Sequence, residues 1–427
     1  MLRRLLPDAP SQRLALWLLL LTAMALRLGW GLSRPTDAES LDKLPDQREY
    51  LVLARNLLHG QGLKFVDERF GDEVFAFRVP GYPLLIAACG GSVRVVRAVQ
   101  ALLDTATVLA VYLLARQWLH AGPSLLAAAL VGFNPFLIYF TGLILTETVF
   151  TTMLVWGMLL LVSSPAGEGP TWRGTLAWLA GGLLLALSVL VRQSALPLPI
   201  LLAVSAAIAN RHRGAPYHRR WPLPVGATML MLTLLVLLPW SYRNWRVLDQ
   251  WVWTTTNGGI TAYDGLNPDA TGASDQSFVR SMPELRTMNE VDRSRHLGEL
   301  AADFARQHPR RAAELGLIKA GRMWSPVPLS DEYRGAKYWV VGLAYSLPFD
   351  LLVILGLTTG RLSRSVKVFL LLPAIYFTAI HMLSVGSLRY RIPVEPPMAV
   401  VAASAAALPA AAGWKRAHLV ASPSPVK

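Results

Sequence analysis

The sequence predicts an all-α integral membrane protein, with about ten transmembrane helices and two structured loops on one side of the bilayer. Three observations lead there. Of 427 residues, 53% are hydrophobic and 16% charged, and a mean hydropathy of +0.39 exceeds what a water-soluble domain needs for its core. Apolar runs long enough to cross a hydrocarbon layer about 30 Å thick recur along the chain. Acidic and basic residues also separate into different inter-span segments, as a membrane topology requires. The net charge of +14 is thereby accounted for by topology and anionic lipid headgroups, with no nucleic-acid partner implied.

The first apolar run, 14–32, follows Arg3, Arg4 and Arg13. It is longer than a signal-peptide core and lacks a small-residue cleavage pattern, so it reads as a retained helix starting in the cytoplasm. Further spans fall near 95–118, 123–142, 148–162, 175–191, 196–209, 222–242, 338–357, 366–385 and 393–408, the fourth and sixth being short. An even count puts both termini on one side. The segments it calls cytoplasmic hold Arg211, Arg213, Arg219 and Arg220, then Arg361, Arg364 and Lys367, then Lys415 and Arg416, all without acidic neighbours, as the positive-inside rule expects. Nearly all Asp and Glu lie in 34–80 and 243–337, which the count places outside. The expected organisation is a transmembrane module over 1–242 with its outer loop at 34–80, an extracytoplasmic region over 243–337, transmembrane helices over 338–412 and a cytoplasmic tail over 413–427, its last residues disordered. The single Cys89 reads as a packing residue.

Both outer segments are too long to be plain connectors. In the first, Pro45 suits an initial helical position, Asp46 and Glu49 suit the positive end of the helix dipole, and Gly60 a helix end. Tyr50, Leu51, Ala54, Leu57 and Leu58 recur at three- and four-residue spacing, the mark of an amphipathic helix on the membrane surface. Upstream, Asp37, Glu39 and Asp42 show no periodicity. The second segment opens with a Gly- and Asn-rich stretch, 254–272, unlike helix or strand. Helices follow at 289–307 and 310–323, broken by Pro309.

Polar residues at the ends of apolar helices are costly unless paired or wetted, and they mark candidate sites. Asp46 and Tyr50, Arg78 and Tyr82 in FRVPGYP, Glu147 in LTETVF, Arg192 in VRQSALP, Arg243 in PWSYRNW, and Arg389 with Tyr390 in SLRYRIP all fall at outer helix ends or in outer loops. Arg27, Arg97, Gln100 and Asp104 carry polarity into the first two spans, where Arg27 and Asp104 can neutralise each other. The pattern suggests a pocket open to the outer face, with acids for proton or metal chemistry and arginines for a phosphate. A channel or carrier would line both leaflets instead.

In order and spacing, Asp46 and Tyr50 followed by ARNLLHGQGL, then RVPGYPLL, NPFLIYFTGLILTE, PWSYRNW with the NGG and NPDATG stretch, and RYRIPVEPP resemble the polytopic GT-C glycosyltransferases. The likeness is to bacterial members similar to protein mannosyltransferases and to the aminoarabinose transferase of lipid A. The resemblance implies a GT-C fold in a bacterial cytoplasmic membrane. It also implies transfer of a sugar from a polyprenyl-phosphate carrier to a lipid, glycan or protein acceptor at the extracytoplasmic face. One departure weakens a protein acceptor: Asp46 is followed by Gln47 rather than Glu.

The residues agree with that chemistry, since displacing a phosphate from an anomeric carbon needs a carboxylate for the acceptor's proton and cations for the leaving phosphate. Arg78, Arg192, Arg243 and Arg389 are the phosphate candidates, with headgroup anchoring or ion pairing as their plain role. Asp46 is the expected general base. Glu147 is expected to assist catalysis, by orienting the acceptor or holding a divalent metal, and otherwise caps its helix. No cofactor is fixed by the sequence. Tyr50, Tyr82 and Tyr390 suit sugar or phosphate, and His381 suits a metal, a phosphate or plain packing. The rival readings are a lipid-linked-sugar flippase or transporter and a non-enzymatic assembly factor.

Overall fold

In the computed structural model the described residues are 7, 9–163, 172–210, 222–330, 333, 335–359 and 362–407. Arg3, Arg4, Arg211, Arg213, Arg219, Arg220, Arg361, Lys415, Arg416 and the tail expected to be disordered lie outside them.

The apolar runs form helices: α1 Pro10–Ser33, α5 Val93–Ala115, α6 Ala121–Gly132, α7 Pro135–Thr141, α8 Glu147–Val162, α9 Trp172–Val189, α10 Leu198–Ala209, α11 Pro222–Leu248, α16 Ala336–Thr358, α17 Arg364–Leu383 and α18 Glu395–Ser404. Among the described residues six of these, α1, α5, α9, α11, α16 and α17, are long and apolar enough to cross a membrane, making this a multi-pass membrane protein. The sequence-based count of about ten is therefore not reached by length. The expected third span is two helices, α6 and α7, bent by 51°. Pro135 lacks an amide hydrogen, and Asn134 caps the new helix through Phe136 N and Leu137 N. The fourth and sixth, α8 and α10, are the shorter apolar helices. The tenth, α18, has 10 residues, all buried, and a rise of about 15 Å is half the hydrocarbon thickness. Helix α18 packs against α5, α6, α16 and α17, and it meets α16 at Gly356, where a Cβ would stand 1.9 Å from Val401 O.

Charge inside the bundle is paired. Arg27 Nε bonds Asp104 Oδ2 at 2.5 Å and its other nitrogens donate to the carbonyls of Val131, Gly132 and Ala23, while Arg97 donates to the carbonyls of Arg34 and Pro35. Burying these groups is tolerable because each finds partners.

The two segments expected outside form one unit. The first contains α2 Ala38–Asp42, the expected amphipathic helix α3 Pro45–Leu58, and the short α4 Gly81–Ala88. Between α3 and α4 lies a hairpin that periodicity does not signal, β1 Phe65–Asp67 with β2 Asp72–Val74, antiparallel with Phe65 opposite Val74. The acidic stretch read as aperiodic is α2, capped by Asp37, which accepts from Ser40 N. The Gly- and Asn-rich stretch likewise contains α12, Gly258–Gly265, since tertiary packing outweighs the low helix propensity of glycine. At Gly259 a Cβ would stand 1.7 Å from Ser294 O, so the glycine is what lets α12 lie against the next helix. That helix is α14, Glu290–Gln307, capped by Asn289 through Val291 N and Asp292 N. It is followed by α15, Pro309–Met323, with the break where Pro309 was expected to put it. Leu53, Phe65, Phe77, Ile260, Leu285, Leu297 and Leu315 form their shared core.

Candidate functional site

A cavity of about 1640 Å³ opens between this unit and the ends of the spans. Its lining combines apolar and aromatic side chains, among them Trp30, Phe136, Ile138, Tyr139, Leu143 and Val341, with charged ones that include Asp46, Glu49, Arg78 and Arg389.

Each charged group is placed through a local constraint. Asp46 and Glu49 are three residues apart on the first turns of α3, hence on one face. Between them Gln47 points the other way, buried, accepting from Ile144 N at 2.8 Å and donating to Leu41 O; it ties α3 to the segment before Glu147. Arg78 lies in a loop fixed at two ends. Phe75 N and Ala76 N donate to the Glu290 carboxylate, and Gly81 N donates to Leu190 O at 2.7 Å. A Cβ at Gly81 would stand 2.6 Å from that same oxygen, so RVPGYP needs glycine there. Arg389 lies in the 3-10 helix Leu388–Val394, whose first turn is capped by Ser387. Glu147 begins α8 with its side chain fully buried.

These side chains form an alternating chain of charge. Arg78 Nη2 lies 2.5 Å from both Asp46 Oδ1 and Glu49 Oε2, and its Nε 2.7 Å from Glu49 Oε2. Arg389 Nη1 bonds Asp46 Oδ2 at 2.6 Å, and its Nε bonds Glu147 Oε1. Arg192 Nη1 reaches the same Glu147 oxygen at 3.4 Å. Three carboxylates and three guanidiniums thus balance formally. Burial pushes the Asp46 carboxyl up, but the guanidiniums of Arg78 and Arg389 outweigh it and hold it well below the usual carboxylate range. At Glu49 burial prevails over Arg78, and the neighbouring Asp46 charge adds to the rise, so its pKa lies above the ordinary value. Burial pushes the Tyr50 phenol up to about 12, so it stays protonated at neutral pH.

Of the residues singled out from sequence, Asp46, Arg78, Arg192, Arg389 and Glu147 are brought together, and Tyr390 joins them. Its ring stacks on His381 at 3.7 Å between centroids and lies under Arg192. Tyr50 and Tyr82 pack edge to face at 5.0 Å, with Tyr82 fully buried and donating to Gln100, so they back the wall rather than face the cavity. Arg243 is elsewhere: it donates to the carbonyls of Phe75 and Leu63 and lies over Trp240, fastening the loop that presents Arg78. Sequence reasoning passed over Glu49 as a helix-dipole residue, although its spacing from Asp46 signals a shared face.

Among the described residues no three His, Cys, Asp or Glu side chains are grouped to hold a metal ion. At Glu147 one oxygen serves two guanidiniums, and the buried Oε2 has no hydrogen-bond partner among the described residues.

Residues 83–241 match the family model described as dolichyl-phosphate-mannose-protein mannosyltransferase. No curated protein matches the sequence. Among solved structures, the chain is similar to the archaeal oligosaccharyltransferase AglB from Archaeoglobus fulgidus in complex with an inhibitory peptide and a dolichol-phosphate. The TM-score is 0.57 at 14% identity, covering 98% of this chain and 53% of that one. The oligosaccharyltransferase of the same organism tethered to an acceptor peptide gives 0.56 and 14%, with 96% and 50% covered. ArnT from Cupriavidus metallidurans bound to undecaprenyl phosphate gives 0.38 and 15%, with 93% and 78% covered. The chain spans about half the length of the archaeal proteins, and at this identity the likeness to them is one of fold.

Proposed function

We propose that this chain, an all-α multi-pass membrane protein of the GT-C fold, is a glycosyltransferase that moves a sugar from a polyprenyl-phosphate carrier to an acceptor. The observation that carries the reading is a cavity whose lining joins apolar and aromatic side chains to the ion-paired cluster of Asp46, Glu49, Arg78 and Arg389. The apolar groups suit an isoprenoid-linked molecule, and the cluster supplies guanidiniums for its phosphate and carboxylates for the acceptor's proton. The match of 83–241 to a mannosyltransferase family model, and the dolichol-phosphate and peptide bound by the AglB structure, support a lipid-phosphate donor.

In the resting arrangement Arg78 and Arg389 are both held by Asp46, each with N–H groups at its edge committed to carboxylates. A donor phosphate competes for them as a bidentate anion, and when the sugar leaves, the second negative charge strengthens that contact in the transition state. Arg192 and Glu147 sit behind, fixing Arg389. We place the site at the extracytoplasmic face of a bacterial cytoplasmic membrane. Arg364 and Lys367 start α17, whereas Arg389 follows its other end, so the described basic pair and the cavity lie at opposite ends of one span. The acceptor is a lipid, glycan or protein.

The test is the purified chain in detergent with polyprenyl-phosphate hexoses and pentoses, no membrane gradient being present. Release of polyprenyl phosphate with sugar transferred to an acceptor, followed by mass spectrometry, is the expected result. Movement of lipid-linked sugar between leaflets in vesicles, with no bond cleaved, would replace the reading with that of a flippase.

A further inference from the structure

We infer that Glu49, rather than Asp46, is the catalytic base that takes the acceptor's hydroxyl proton, an inference that rests on the transferase reading above. Three carboxylates are candidates, and their free oxygens separate them. Asp46 has none: Oδ1 is held by Arg78 at 2.5 Å and Oδ2 by Arg389 at 2.6 Å, so an acceptor hydroxyl would first have to displace a guanidinium. Glu147 has one, Oε2, but its side chain is fully buried and is not part of the cavity wall. Glu49 lines the cavity with its side chain 12% exposed. Arg78 hydrogen-bonds only its Oε2, and among the described residues no group donates a hydrogen bond to Oε1.

The geometry also couples base to leaving group. Arg78 bonds Glu49 through Nε and Nη2 and Asp46 through Nη2. The cation that receives the phosphate therefore holds the base at its own edge, within one side chain's span. The step balances without any further reactant. The acceptor O–H bond breaks and its proton passes to Glu49 Oε1. The oxygen's electron pair forms the bond to the anomeric carbon, and the bond from that carbon to the phosphate oxygen breaks with its pair. Lipid phosphate is left with a second negative charge beside Arg78 and Arg389.

Basicity points the same way. Facing Glu49 are Arg78 from the loop before α4, Arg69 from the hairpin turn, and Asp46 on its own helix. Burial, with the Asp46 charge, outweighs the two cations and raises Glu49, whereas Asp46 is driven down by its arginines. The carboxylate with the free oxygen is thus also the stronger base.

The experiment uses the full chain in detergent with a polyprenyl-phosphate sugar that the wild type turns over. It follows kcat/KM against pH together with binding of polyprenyl phosphate itself. Glu49→Gln is expected to lose about a hundredfold or more in turnover, the scale of a missing general base. It should lose the acid limb of the pH profile and still bind polyprenyl phosphate. Added formate should restore part of the rate of Glu49→Ala and none to Asp46→Ala. Asp46→Asn should be slower than wild type yet keep the acid limb. A Glu49→Gln enzyme within a few fold of wild type with its acid limb intact overturns the assignment. So does formate rescue of Asp46→Ala in place of Glu49→Ala. Should Glu49→Gln also lose polyprenyl-phosphate binding, failure of formate to rescue Glu49→Ala overturns it. A wild-type chain that turns over no donor sinks the transferase reading itself, and the base falls with it.

Discussion

Arg389 Nη1 lies 2.6 Å from Asp46 Oδ2 although 343 residues separate them in sequence. That bond joins α3 to the 3-10 helix Leu388–Val394, both at the cavity. Arg389 also bonds Glu147, so one guanidinium fixes the relative positions of α3, α8 and the 3-10 helix before α18. A planar fork with several fixed N–H directions can do this, whereas a lysine ammonium is a point charge.

Arg389→Lys should therefore keep the charge and lose the function. Turnover is expected to fall at least tenfold, with weaker binding of polyprenyl phosphate, because one ammonium cannot hold Asp46, Glu147 and phosphate in their present geometry. Wild-type kinetics in this variant would remove Arg389 from the site.

Asp46→Asn leaves the shape of the side chain and takes away the charge between two arginines. Polyprenyl phosphate should then bind at least as well as to wild type, since Arg78 and Arg389 no longer have that carboxylate as competitor, while turnover falls because each guanidinium keeps only one of the two carboxylates that position it. Equilibrium binding beside single-turnover rates checks both halves. Weaker binding with an unchanged rate would contradict the clamp role.

Glu147→Gln should cost stability as well as rate. The side chain is fully buried between Arg389 and Arg192; Arg389 keeps Asp46, but Arg192 loses the carboxylate it pairs with, and leaving a buried charge uncompensated is destabilising. Thermal unfolding in detergent should show a clear fall in Tm. Full activity with an unchanged Tm would return Glu147 to a plain helix-start residue.

Gly265→Ala touches no substrate, yet it should impair turnover. A Cβ there would stand 1.8 Å from Ser384 O, in the segment that runs from α17 to Arg389, and the backbone must shift to accept it. Arg322 Nε also holds this segment through Gly386 O at 3.2 Å. The expected result is a folded protein with a several-fold lower kcat, whereas normal kinetics would mean that Arg389 tolerates movement of its segment.

The orientation predicts that a cysteine replacing the exposed Ser281, in a background with Cys89→Ala, reacts with an impermeant maleimide in intact cells. Reaction only after lysis would put the outer unit in the cytoplasm and reverse the topology.

The sequence by itself determined the membrane class and the position of each long helix. Hydrophobic length, proline and capping residues act locally, so α1, α3, α14 and the Pro309 break were readable from one stretch at a time. It also put Asp46, Arg78, Glu147, Arg192 and Arg389 at helix ends or in loops on one side, because polar groups there must leave the hydrocarbon. Only the tertiary structure decided how they combine. The short, fully enclosed α18 came from the helices packed around it, which lets ten residues stay buried without crossing. Gly259 and Gly265 support α12 against their own propensity because another backbone lies where a Cβ would be. Arg243 and Arg78 look alike in sequence, yet one binds carbonyls and the other carboxylates. Asp46 and Glu49 share a face of one helix, and which of them keeps an oxygen free depends on where Arg78 and Arg389 reach it. Those contacts span 29 to 343 residues, a distance over which local pattern holds no information and only the packed fold does.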